Sequence, residues 1–145
     1  MNRYAQLRQR QQEELNALPL GFAFGRKQFD EMMEGWGLDP EKDLNKICSI
    51  GAGGYIRKED VGLLRQTSER HREEMAAAIA EDETGGGFIY EMFLCELDNH
   101  EYGYTQDTED ALDALGYTAE EVLGDPRLKR GIEKAATEIL GKPAI

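Results

Sequence analysis

Cysteine, proline and tryptophan are scarce in this chain: two, four and one among 145 residues. Cys48 and Cys95 stand far apart and share no metal-type spacing, so reduced, packed thiols are expected rather than a disulfide framework. No apolar run approaches the ~20 residues that a membrane-crossing helix needs. The opening residues, Met-Asn-Arg-Tyr-Ala-Gln-Leu-Arg-Gln-Arg, lack the apolar centre of a secretion signal. A cytoplasmic protein with no membrane partner is therefore expected. The most telling absence is of one sign of charge: residues 81–125 contain 14 Asp and Glu and no Lys or Arg.

The net charge of −12 is thus unevenly spread. Residues 1–29 carry five basic side chains against two acids, and residues 126–145 again carry five against two. A one-signed acidic block disfavours direct nucleic-acid binding, which requires cations against phosphates. The same field attracts a basic protein surface. Six candidate surface acids follow in Asp98, Glu101, Asp107, Glu109, Asp110 and Asp113. Glu91, Tyr102 and Tyr104 join them, tyrosine being frequent at interfaces.

At 145 residues a single domain over 1–145 is expected, with 1–18 as a helical arm and 20–145 as the compact core. Residues 3–18 favour helix, but the stripe of Tyr4, Leu7, Leu15 and Leu18 is thin. Leu20 to Phe24 reads as a strand, and Arg26 to Gly35 as a helix with Phe29, Met32, Met33 and Trp36 inward. Residues 47–57, two short apolar pieces around a Gly-rich centre, read as a β-hairpin or a strand with a bulge. A long helix over 58–80 places Ser68 and His71 in its apolar seam. Three capping signals follow: Asp107 or Thr108, the Thr118–Glu121 capping box, and Asp125 before Pro126. Gly141 and Pro143 stop the last helix. The fold class is α+β, mainly α, with five to six helices and a small two- or three-stranded antiparallel sheet.

The most apolar stretch, 88–101, predicts a helix with Ile89, Met92, Phe93, Leu97 and His100 on one side. Glu96 falls inside this apolar arc, one turn before His100. A fold-back at Gly85 would bring His71 level with them, so Glu96, His100 and His71 form the candidate catalytic cluster. Such a cluster would serve a small-ligand-binding or hydrolytic enzyme. The structural alternative is a hydrogen-bonded polar group in the core, with Arg65 or Arg72 meeting Glu96. The spacing fits no zinc-protease or di-iron pattern, so no metal and no cofactor is expected. Asp98 to Glu109 counts as a calcium loop only at its ends, because His100 and Tyr102 replace two ligands.

Gly51, Gly53 and Gly54 precede a strand, not a helix N-terminus, which argues for turn geometry over a phosphate loop. Arg57 and Lys58 just beyond add cations, so these five residues make a candidate anion site.

The run Ser49-Ile-Gly-Ala-Gly-Gly-Tyr-Ile-Arg-Lys-Glu-Asp60, with Arg70-His71 and Asn99-His100-Glu101-Tyr102, resembles a family of small uncharacterised proteins. So does Asp113-Ala-Leu-Gly116 followed by Asp125-Pro-Arg-Leu-Lys129. The resemblance covers the chain from Phe22 onward. It implies gut bacteria and a position near conjugative-transposon or phage genes, with no activity to carry over. The leading expectation is an acidic cytosolic accessory protein of a mobile genetic element that binds a basic protein surface.

Overall fold

The computed structural model describes residues 1–142; Pro143 lies outside them. The chain divides into two compact units: Met1–Arg10 with the chain from Arg72 onward, and Gln11–His71. Helices α1 (Arg3–Asn16) and α3 (Val61–Glu81) each supply residues to both.

The 11–71 unit is built on a three-stranded antiparallel sheet of β1 (Leu20–Phe22), β2 (Ile47–Gly51) and β3 (Gly54–Arg57), in the order β1-β3-β2. Leu20 pairs with Ile56 and Ile56 with Cys48, so these three share one face. Gly21, Tyr55 and Ser49 share the other, where α2 (Arg26–Gly35) packs. Gly21 permits that approach, because a Cβ there would meet Met32 and Trp36. The Tyr55 ring adds an edge contact to Phe29 at 5.5 Å. The Gly-rich centre is the hairpin turn, with Gly51, Ala52 and Gly53 all at positive φ. The strand expected through Phe24 ends at Phe22, although Ala23 still donates to the Gly53 carbonyl.

The other unit surrounds α4 (Phe88–Asn99), with α5 (Tyr102–Thr105), α6 (Glu109–Leu115), α7 (Ala119–Gly124) and α8 (Pro126–Leu140). Ile89, Met92, Phe93 and Leu97 of α4 are buried, as the helical periodicity requires. They pack with Ala111, Leu112, Val122, Leu128, Ala135 and Ala136 in one apolar core. Close approach of α4 and α8 rests on Gly131, where a Cβ would stand 2.6 Å from Ile89 Cγ2. Gly85 adds the same constraint on the α3–α4 loop: its φ is +87°, and a Cβ would collide with the Arg127 carbonyl.

Eight α-helices occur among the described residues, against the five to six expected. The excess comes from the polar C-terminal half. Glu101, Gln106 and Gly116 adopt left-handed backbone conformations that break the chain into short helices. The Thr118–Glu121 capping box then opens α7, and Asp125 with Pro126 opens α8. Gly141 closes α8 in the left-handed region.

Gly131→Ala should cost about 1–3 kcal/mol through overpacking. Gly62→Ala in α3, where a Cβ meets nothing within 4 Å, should cost nothing. Chemical denaturation midpoints of the two variants check this contrast.

Candidate functional site

Glu96 sits where the periodicity placed it, only 8% exposed within the core side of α4. Its partner is not an arginine. The Tyr4 hydroxyl, on a residue 2% exposed, donates to Glu96 Oε1 at 2.7 Å. Burial, then the hydrogen bond and charge of Glu96, hold the Tyr4 pKa well above its ordinary value. The phenol therefore stays a donor throughout the neutral range. Around this contact the first turn of α1 is fastened to α4. Asn2 accepts from the Ala5 N–H and donates to the Glu91 carbonyl at 2.7 Å. Arg3 Nε pairs with the Glu91 carboxylate at 2.7 Å, and the Tyr4 ring meets Phe88 edge-on at 6.0 Å.

His100 lies beside Glu96, with Nδ1 3.7 Å from Oε2 and 2.8 Å from the Glu96 carbonyl. A carbonyl oxygen only accepts, so in this contact His100 Nδ1–H is the donor. His71 belongs to the 11–71 unit. Its Nε2 stands 3.3 Å from Glu14, and its carbonyl accepts from Gln11 at 3.0 Å. The arrangement around Glu96 thus joins Tyr4, Glu96 and His100, and its visible work is to anchor α1 on α4. Burial, then the neighbouring Glu96 charge, also raise the Cys95 thiol; both cysteines are free.

A second carboxylate organises the α3–α4 loop. Asp82 accepts four main-chain N–H bonds, from Thr84, Gly85, Gly87 and Ile89, at 3.0–3.3 Å. Burial opposes its charge, but these donors outweigh burial and lower its pKa. Arg127 closes the same corner by donating to the carbonyls of Ile79 and Asp82. Lys134 donates to the Gly86 carbonyl and lies 4.1 Å from the Tyr90 ring centroid.

The acids of the 81–125 block therefore separate by their employment. Glu91, Glu96, Asp82 and Asp125 bind side chains or main-chain amides of this unit. Asp98, Glu101, Asp107, Glu109, Asp110 and Asp113 are exposed and, among the described residues, make no ion pair, although Asp107 accepts the Glu109 N–H at 2.9 Å. On α6 the 3.6-residue repeat groups Glu109, Asp110 and Asp113 opposite the buried Ala111 and Leu112. Tyr104 stands among these acids 92% exposed, whereas Tyr102 is 6% exposed and belongs to the core.

The anion-site residues part company in space. Gly51, Gly53 and Gly54 form the hairpin turn, and Arg57 and Lys58 lie at the opposite end of β3. The Phe24 ring packs against Gly53, leaving no cradle there.

A family model matches residues 3–138. The chain belongs to this family, the family of unknown function DUF7659. The expected kinship with uncharacterised proteins is sound at that level, and the DUF7659 match reaches back through α1 instead of starting near Phe22. No curated protein and no solved structure matches the chain. No helix among the described residues is long and apolar enough to cross a membrane.

Sequence reading misses Tyr4, because nothing local marks a partner 92 residues away. Asp82 had a readable signal, an Asp ahead of a Thr-Gly-Gly-Gly run that offers its amides.

Tyr4→Phe should cost about 1–3 kcal/mol, because it leaves the buried Glu96 without its donor; the loss is read from urea unfolding. Asp82 has a lowered folded pKa, so its stabilisation is present above its unfolded pKa and fades as pH falls through the folded one. Asp82→Ala should therefore differ most from the parent at neutral pH and converge with it in acid, as thermal melts across pH will register.

Proposed function

We propose that this protein is an accessory interaction module whose acidic segment, from Asp98 to Asp113, docks on a basic protein surface in the cytosol. The observation that carries the reading is the division among the acids. Those with structural work are paired or bound to amides, while Asp98, Glu101, Glu109, Asp110 and Asp113 are exposed with no ion pair among the described residues, and Asp107 beside them accepts the local Glu109 N–H. Like charges spaced along one segment repel one another, a cost that a cationic partner removes. Tyr104 supplies an amphipathic anchor at the centre of this charge. A partner that ordinarily grips nucleic acid fits best, because spaced carboxylates present it with a phosphate-like array. The resemblance of residues 49–60 to proteins encoded beside conjugative-transposon and phage genes supports a DNA-handling protein of a mobile element as that partner.

The quadruple variant Asp107→Asn, Glu109→Gln, Asp110→Asn, Asp113→Asn should keep its fold, since all four side chains are exposed. In pull-downs at low salt the parent should retain a basic protein that the variant loses, and added duplex DNA should release it. Capture that is equal in parent and variant, or that persists unchanged at high salt, would sink the reading.

A further inference from the structure

The 11–71 unit carries a cleft of about 400 Å³ lined by Trp36, Leu38, Asn45, Lys46, Arg57 and Lys58, with Glu59 also on its wall. Its construction follows from the fold. Trp36 ends α2 and fits over the strand where Gly21 has no side chain. Arg57 ends β3 and sets its guanidinium 5.7 Å from the Trp36 ring centroid, a cation–π distance. Asp60 fixes that guanidinium at 3.0 Å through both Nε and Nη2. The Arg57–Trp36 platform is therefore held in place before any ligand arrives.

The lysines are not held in this way. Lys46 meets Asp43 at 3.3 Å with its side chain 58% exposed, a weak pair that readily exchanges. Lys58 is exposed and makes no ion pair among the described residues. Glu59 lies 3.4 Å from Arg57 and is 70% exposed, so water screens its charge. The cleft thus combines a flat aromatic and aliphatic wall, one amide able both to donate and to accept, and two mobile cations. Packing needs account for Arg57 and Asp60. They do not account for two exchangeable lysines beside a half-buried indole in a chain of charge −12.

We propose that this cleft binds a small organic anion with a planar ring, of nucleoside monophosphate type. The ring lies against Trp36 and Leu38, the Asn45 amide meets its polar edge, and the phosphate is taken by Lys46 and Lys58. The size suits such a ligand, since pockets for small molecules begin at roughly 300 Å³. The site is independent of the acidic segment and of the glycine turn.

Trp36 is the sole tryptophan, so indole fluorescence reports on this cleft alone. The full chain is titrated with AMP, GMP, CMP, UMP and inorganic phosphate, excited at the red edge of the indole band where bases do not absorb, with calorimetry in parallel. At least one nucleotide should bind saturably with a Kd of ~1 mM or tighter, and phosphate more weakly. Lys46→Ala with Lys58→Ala should weaken binding ~10-fold or more without changing the thermal melt. Lys129→Ala, in the other unit, should bind as the parent does. The proposal is overturned by no saturable signal from any of the four nucleotides. It is equally overturned by unchanged affinity in the double variant, or by phosphate binding as tightly as the best nucleotide.

Discussion

A carboxylate buried in an apolar helix face must find a donor, and the unit around α4 is arranged to provide one. Glu96 occupies a core position because α4 is apolar on most of its circumference and must be covered. An uncompensated polar group there would cost several kcal/mol. Tyr4 supplies the missing donor at 2.7 Å and brings the first turn of α1 with it. Arg3 and Asn2 then bind the neighbouring Glu91, and the Tyr4 ring covers Phe88. Docking of α1 is thus a consequence of where α4 places its charge more than of α1's own thin apolar stripe.

The same logic separates the acids of the middle block. Asp82 organises a loop by gathering main-chain amides, and Asp125 starts α8. These carboxylates could not be exchanged for lysine without losing their bonds. The exposed acids at the end of α4, on α6 and in the turns between make no ion pair among the described residues, and yet this set too is entirely of one sign. Solubility alone needs net charge but does not need every cation removed from 45 consecutive residues, 81–125.

Much of this was legible from local signals. The capping box at Thr118, the Asp125–Pro126 start, the closing Gly141 and the hairpin around Gly53 all stand where short-range chemistry puts them. The inward position of Glu96 also follows from helical periodicity. Partners were less legible. Tyr4 rather than Arg65 or Arg72 satisfies Glu96, and the neighbours of His71 are Glu14 and Gln11. Both choices depend on chain paths that no short window contains. The helix that no local signal announced is α5, a single turn set between the left-handed Glu101 and Gln106. The Trp36–Arg57 platform was hidden for a related reason: a helix end and a strand end, 21 residues apart, meet over a glycine.

The bond between Tyr4 and Glu96 spans 92 residues, and this sets an order of events during synthesis. At typical translation rates Tyr4 is made about 5–20 s before its acceptor exists. Asn2 and Arg3 wait nearly as long, their partner being Glu91. A strongly amphipathic first helix would spend that interval exposing an adhesive face. The sequence instead surrounds Tyr4 and Leu7 with glutamine, arginine and glutamate. The thin apolar stripe of α1 is what lets it stay solvated until the residues that capture its first turn have been made.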